Sequence, residues 1–247
     1  MRSVNRSDRS ARSARSGLRR LRALATGVAA VLAALTASPA AASGARQPDA
    51  GPAATTAVRG GDTLYGADGT VCTVAFNARS GSTYYALMPG HCAGPGTTWY
   101  ADPSRSVVVG TTIGAHFPAD DYGLLRYTGT AVTHPGEVTL RDGTVRDITG
   151  AALPVVGQSM CHLGRVSGIH CGTVSAVNVS VNYPEGTVTG LFRSTICSEP
   201  GDVGGPAFSG TTALGFIVSG SGNCRTGGST FYQPVSEILA AYGLTLY

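Results

Sequence analysis

The chain has 247 residues, 43% of them hydrophobic, which allows one or two domains with an ample core. Its 35 glycines are a share well above the average of about 7% and favour an all-β fold with many tight turns. The net charge of +4 comes from the N-terminus, because residues 43–247 carry 10 Arg, no Lys and 13 acidic residues. Composition therefore gives no support for nucleic-acid binding.

Residues 1–42 have the three parts of a secretory signal peptide. Residues 1–22 carry eight arginines and one acid, an apolar run occupies 23–37, and 38–42 are small residues suited to cleavage. The alternative is a membrane anchor, but this run has 15 residues and a spanning helix needs about 20. We expect residues 1–42 to be removed and the mature protein to be secreted, extracellular and free of the membrane.

The rest of the chain is predicted to be a short linker and one β-rich domain. Residues 43–57 are rich in Ala, Gly, Pro and Thr without an apolar period, and we interpret them as a linker or a vestigial pro-segment. In residues 58–247, short β-branched or aromatic runs are separated by turn residues, which indicates a sandwich or barrels. The predicted strands are 71–76, 83–87, 106–113, 122–127, 172–181, 187–192 and 213–218.

One helix is predicted, near the C-terminus. Pro234 suits its first position, and Gly243 suits the cap after its last turn. Residues spaced i, i+3, i+4 and i+7 give it one apolar face. These residues are Val235, Ile238, Leu239 and Tyr242.

Six cysteines lie after the predicted signal peptide. They are Cys72, Cys92, Cys161, Cys171, Cys197 and Cys224. An even number of cysteines in an exported chain predicts three disulfides, although the residues alone leave their pairing open. Zinc binding is the alternative, but the chain has no C-x-x-C pair. We expect no metal and no cofactor.

Three polar motifs follow one another in an informative order. His91 lies in Pro-Gly-His-Cys, Asp121 lies in Asp-Tyr-Gly, and the loop Gly-Asp-Val-Gly-Gly-Pro occupies residues 201–206. The order His, Asp, nucleophile loop is that of chymotrypsin-type enzymes and differs from the order in subtilisins and α/β-hydrolases. Val203 stands where the nucleophile is expected, and its side chain has no lone pair with which to attack.

These motifs make residues 58–247 resemble the secreted bacterial chymotrypsin-like serine proteases of the streptogrisin type. The shared stretches are Arg-Ser-Gly-Ser-Thr-Tyr-Tyr (79–85), Gly-His-Cys (90–92), Asp-Tyr-Gly (121–123), Cys-Ser-Glu-Pro-Gly-Asp (197–202), Ser-Gly-Asn-Cys (221–224) and Phe-Tyr-Gln-Pro-Val (231–235). The resemblance implies an all-β, trypsin-like fold of two six-stranded antiparallel β-barrels with a short C-terminal helix and a site in the cleft. It also implies the disulfides Cys72–Cys92, Cys161–Cys171 and Cys197–Cys224.

The resemblance also implies roles for individual residues. In such enzymes a histidine takes the proton of the attacking serine, and an aspartate orients the histidine. By this resemblance His91 is the base and Asp121 the orienting acid. The backbone N–H groups of Gly201 and Val203 would form the oxyanion hole, which needs no side chain at position 203. A strand and a pocket for a large apolar side chain would bind the substrate through Val218, Ser219, Gly220, Glu199 and Pro200.

Further departures from the family pattern accompany Val203. Val218 replaces a serine that supports the buried aspartate, and His162 stands where many members carry an arginine that pairs with the equivalent of Asp202. Met88-Pro89 replaces a Thr-Ala pair. Together these changes predict a protein that retains a peptide-binding cleft but has lost catalytic activity.

Three hypotheses follow from the altered site. The first is a monomeric pseudoprotease that binds extended peptides, or a protein such as a protease inhibitor, and is catalytically dead or severely impaired. The alternative is a serine-type endopeptidase with residual or unusual hydrolysis after large apolar residues. The third is a structural product with no specific ligand.

Overall fold

Residues 55–247, which the computed structural model of the chain describes, form two strongly curved seven-stranded β-sheets, two small two-stranded sheets and a short C-terminal helix. The predicted signal peptide, and the predicted linker up to residue 54, lie outside the described residues. The first strands are β1 (Thr56–Ala57), β2 (Thr63–Gly66), β3 (Val71–Thr73), β4 (Phe76–Ser80), β5 (Thr83–Met88), β6 (Thr98–Tyr100), β7 (Val108–His116), β8 (Tyr122–Tyr127) and β9 (Val132–Thr133). The others are β10 (Glu137–Thr139), β11 (Val145–Asp147), β12 (Gly150–Ala151), β13 (Ser159–Gly164), β14 (Gly168–Tyr183), β15 (Gly186–Ser194), β16 (Pro206–Ser209), β17 (Thr212–Asn223) and β18 (Gly227–Pro234).

The N-terminal sheet closes into a barrel. Its strand order is β3-β2-β6-β7-β8-β5-β4, and all neighbours are antiparallel. Its two end strands are separated by only Val74 and Ala75. The Val74 N–H donates to the Asp62 carbonyl at 2.9 Å, and the Ala75 N–H donates to the Leu87 carbonyl at 2.7 Å. Strands β3 and β4 are thus two halves of one bent strand, and they close a ring of six.

The C-terminal sheet closes in the same way. Its order is β12-β17-β16-β13-β14-β15-β18, and the additional pairing of β17 with β18 completes a ring of six antiparallel strands. The two-residue β12 pairs with β17 in parallel and lies outside that ring. The predicted fold of two six-stranded antiparallel barrels is confirmed, with β12 as a short addition.

Buried apolar side chains join the two barrels. Each barrel has a core of its own, represented by Trp99 in the first and Phe192 in the second. A third cluster contains residues of both barrels, such as Phe76 and Phe216, and it includes Val235 of the terminal helix. Because this cluster is buried and apolar, it stabilises the position of one barrel against the other, and the cleft between them is held in shape.

The terminal helix α1 (Val235–Tyr242) is confirmed with the predicted apolar face. Val235 and Ile238 are fully buried. Pro234 is the N-cap residue, one position before the predicted place, and Gly243 ends the helix with a left-handed φ of 59°. No helix among residues 55–247 has the length and the apolar character required to span a bilayer.

The three disulfides pair as the resemblance implied. The Cα atoms are 6.0 Å apart in Cys72–Cys92, 4.0 Å in Cys161–Cys171 and 5.0 Å in Cys197–Cys224. The first disulfide ties β3 to the short 3-10 turn Gly90–Cys92, which carries His91. Within the described residues, the cluster His170, Cys197 and Cys224 has metal-ligand spacing, but both of its sulfur atoms belong to the third disulfide.

Candidate active site

His91 and Asp121, which are 30 positions apart in the chain, are in direct contact. His91 Nδ1 lies 2.8 Å from Asp121 Oδ2 and 3.0 Å from Oδ1, and the His91 backbone N–H donates to Oδ1 at 3.0 Å. Asp121 is fully buried, and its own N–H donates to Gln233 Oε1 at 2.9 Å. A carboxylate acceptor at Nδ1 favours the tautomer that is protonated there, which leaves Nε2 as the unpaired ring nitrogen.

A glycine makes this placement possible. A Cβ on Gly90 would lie 2.1 Å from the His116 carbonyl oxygen and 2.8 Å from that of Tyr122. The 3-10 turn can therefore pack directly on β7 and β8 only when residue 90 has no side chain. This contact brings His91 beside the first residues of β8, where Asp121 is buried.

The loop that carries Val203 is held by its backbone. The Gly204 N–H donates to the Ile217 carbonyl at 2.8 Å, and the Gly205 N–H donates to the Asp202 carbonyl at 3.0 Å. Within residues 55–247, the N–H groups of Gly201 and Val203 donate to no backbone or side-chain acceptor. Two free donors on either side of Asp202 are what an oxyanion hole requires.

Asp202 anchors the same loop from inside. Its buried carboxylate accepts N–H groups from Val166 at 2.7 Å, Ser167 at 3.0 Å and Glu199 at 2.8 Å. Burial acts to raise the pKa of Asp202, but hydrogen bonds from Ser167, Glu199 and Val166 outweigh it and lower the pKa below the ordinary value. The loop is therefore organised by a buried anion that backbone N–H groups stabilise.

His162 does not supply the positive charge that an arginine would bring. Its side chain is fully buried, and Nδ1 lies 2.8 Å from the Tyr232 hydroxyl. Burial lowers the pKa of His162 to about 4, although Asp202 acts to raise it. His162 is consequently neutral at pH 7, and within residues 55–247 the charge of Asp202 is compensated by hydrogen bonds.

Val218 gives Asp121 no hydrogen bond. The valine is 2% exposed and lies in the buried cluster between the barrels. Among the described residues, the carboxylate of Asp121 accepts hydrogen bonds from His91 alone. The aspartate therefore depends on His91 for the compensation of its buried charge.

A cavity of about 340 Å³ extends from His91 into the C-terminal barrel. All five residues predicted to bind substrate line it, together with His91 and Val203. They are Val218, Ser219, Gly220, Glu199 and Pro200. A second cavity that borders Val203 has a volume of about 130 Å³ and is lined by His91, Gly201 and Arg165 among others.

Tyr183 and Phe117 are parts of the cleft that sequence reasoning missed. The Tyr183 hydroxyl donates to the Val218 carbonyl at 3.1 Å, and its ring centre lies 6.5 Å from that of His91. The ring of Phe117 lies 5.7 Å from His91 and 5.3 Å from Tyr183. Neither residue lies in a motif, so only its position in the folded chain shows that it faces the site.

One edge of β17 is free beside the cavity. Strand β16 pairs with β17 only as far as Phe216, whereas β18 pairs with the other edge from Gly215 to Asn223. Within the described residues, no strand pairs with Val218, Ser219 and Gly220 on the edge opposite β18, where the Val218 carbonyl accepts the hydroxyl of Tyr183. Such an edge can add an extended peptide as a further strand, which gains main-chain hydrogen bonds.

Comparison with known proteins agrees with this geometry. Residues 106–241 match the Trypsin family. The chain is 57% identical to the solved structure of Alpha-lytic protease homolog N4, with a TM-score of 0.73, and the match covers 78% of this chain and all of that one. The chain belongs to the trypsin family of serine proteases. Members of this family bind peptide substrates.

Two further relatives place the chain within the family. It is 44% identical to Streptogrisin-D of Streptomyces griseus over 76% of its length, but the match covers 48% of that relative, so the chain spans about half of it. It is 43% identical to a structure described as a glutamic acid specific serine protease that uses a histidine triad in substrate binding. That match covers 77% of this chain and all of the other, with a TM-score of 0.72.

Proposed function

We propose that the protein is a secreted pseudoprotease that binds extended peptides and is catalytically dead or severely impaired. Val203 carries this proposal, because it occupies the nucleophile position beside a His91–Asp121 pair that is otherwise assembled. The free edge of β17 and the adjoining cavity support retained peptide binding. The predicted signal peptide at residues 1–42 supports secretion, and the folded domain would be the mature product.

The two serines that line the cavity give no support for a substitute nucleophile. Ser198 and Ser219 line the cavity, but neither donates a hydrogen bond to His91. Ser198 lies against Gly220, where a Cβ would come within 2.2 Å of its hydroxyl. A nucleophile must lie about 3 Å from its base, so these serines do not support catalysis.

The energetic consequence of Val203 is large. Removal of the nucleophile from a related enzyme lowers turnover by about 10⁶-fold, which corresponds to about 8 kcal/mol of transition-state stabilisation. The free N–H groups of Gly201 and Val203 still provide electrostatic stabilisation, which in such enzymes leaves about 10³- to 10⁴-fold catalysis over water. A slow residual hydrolysis is therefore the second candidate function.

The cavity favours a large apolar side chain in the ligand. Its lining includes Ile217 and Val218, and His91 is the one histidine among the described residues that line it. The cavity therefore has no group of histidines that could neutralise the negative charge of a glutamate side chain in the ligand. The carboxylate of Glu199 also lines the cavity and would repel an acidic side chain. These features support recognition of residues such as Phe or Leu.

The decisive experiment measures hydrolysis of a chromogenic peptide with Phe before the scissile bond. The parent protein is compared with His91→Ala, with thermal unfolding used to verify that both are folded. Equal rates near background support the pseudoprotease, whereas a faster parent supports the hydrolase. Titration of the same peptide by fluorescence anisotropy then separates a binding protein from a product with no ligand.

A further inference from the structure

We propose that the cleft recognises the free C-terminal carboxylate of a peptide that ends in a large apolar residue. This inference rests on the proposed function and specifies its ligand: a peptide already cut after such a residue, rather than an intact chain. Three features of the region around Val203 carry it. They are the two free N–H donors, the valine side chain and the positive charge of Arg165.

The free donors favour an anion over a neutral carbonyl. The N–H groups of Gly201 and Val203 have no acceptor in the described part of the chain, and Gly201 has a left-handed φ of 98°. Hydrogen bonds to a charged acceptor are roughly twice as strong as those between neutral groups. A carboxylate at this position gains more from the two donors than the carbonyl of a peptide bond does.

The side chain of Val203 disfavours a continuous chain. In a protease, the carbonyl carbon of the substrate lies within about 3–3.5 Å of the nucleophilic atom. A methyl group of Val203 would require a separation of about 3.5–4.0 Å from the same carbon. An intact peptide that passes Val203 would occupy both of the cavities that this residue lines, and it could not retreat without losing contacts in one of them. A peptide whose C-terminus lies beside Val203 would occupy only one of these cavities, so it can move away from the valine methyl groups.

Arg165 places a positive charge where an intact substrate would continue. Its Nε donates to the Gly201 carbonyl at 3.2 Å, and it lines the second cavity beside His91 and Val203. The side chain is exposed, and no acidic residue is among the described residues that line this cavity. The guanidinium therefore contributes an attractive potential for a carboxylate at the loop, in addition to the free N–H groups.

The test uses fluorescein-labelled Ala-Ala-Pro-Phe in several forms. The first ends in a free carboxylate, the second in a carboxamide, and the others continue after Phe with Ala-Ala or Glu-Ala and are amidated. We expect the carboxylate form to bind at least about 10-fold more tightly than every other form. Equal affinity of the carboxylate and carboxamide forms would overturn the inference, and so would tighter binding of the Glu-Ala extension.

A matched pair of variants tests the role of the charge. Arg165→Ala should weaken binding of the carboxylate form by about 2- to 5-fold, because an exposed charge is screened by solvent, and should leave the carboxamide form unchanged. Arg146→Ala removes an equally exposed charge that lines neither cavity and should change neither affinity. If all forms bind equally, the peptide-binding proposal stands and this inference fails. If no form binds, both fail.

Discussion

The two halves of the candidate site differ in the side chains that they offer. The half on the N-terminal barrel pairs two polar side chains, with His91 Nδ1 2.8 Å from Asp121 Oδ2. The half on the C-terminal barrel offers the apolar side chain of Val203 in a loop that is ordered by other groups. The difference teaches that the order of this loop does not depend on the side chain at position 203, because Asp202 and main-chain hydrogen bonds organise it.

The largest expected effect comes from restoring the hydroxyl. Val203→Ser should raise kcat/KM for a peptide with Phe before the scissile bond by about 10³-fold or more, since His91 and Asp121 are already in place. Val203→Ala is the control and should stay at the level of the parent. Activity of the serine variant equal to that of the alanine variant would show that the N-terminal half is also defective.

The next effect concerns the anchor of the loop. Asp202→Ala should lower the free energy of unfolding by about 4 kcal/mol, because it leaves buried N–H groups without acceptors. Asp202→Asn keeps one carbonyl oxygen that can accept the N–H groups of Val166 and Ser167, so it should lower the free energy of unfolding by less. Chemical denaturation measures both variants. If the alanine and asparagine variants were equally destabilised, the hydrogen bonds to residue 202 would not be what orders the loop.

A pH effect should follow from the buried His162. Its pKa falls from the ordinary 6.5 to about 4 in the folded protein, so the unfolded state takes up the proton first as the pH decreases. Its contribution to stability is present above pH 6.5 and is lost as the pH falls towards about 4. The loss should reach about 3 kcal/mol.

Denaturation of the parent and His162→Gln across this pH window isolates the contribution of the histidine. Glutamine is polar but does not titrate, so the difference between the two proteins should shrink as the pH falls. The lowered pKa of Asp202 also removes stability at acidic pH, but it does so in both proteins. A difference that stays constant from pH 7 to pH 4 would contradict the assignment.

The smallest expected effect concerns the support of Asp121. In a Val203→Ser background, Val218→Ser should raise kcat/KM by about 10-fold, because a hydroxyl can donate to the buried carboxylate. Val218→Ala in the same background is the control for the loss of volume. An equal response to serine and alanine would mean that Asp121 needs no partner beyond His91.

The sequence alone supports those parts of the fold that local patterns determine. The interval 122–127 was predicted as a strand and is β8, and the apolar period of residues 235–242 is α1. The prediction of 172–181 captured only part of β14, which runs from Gly168 to Tyr183. Pairing with β13 and β15, the strands directly before and after it in the chain, extends that strand at both ends.

By itself, the sequence determined the order of the motifs, the resemblance to a protease family and the absence of a nucleophilic side chain at position 203. The tertiary structure alone decided how the site is supported. It placed Gln233 against the backbone of Asp121, 112 positions away, and the N–H groups of Val166 and Ser167 on Asp202. It also placed Tyr183 over the carbonyl of Val218. Such contacts have no local pattern, because their geometry exists only after the strands have closed into barrels.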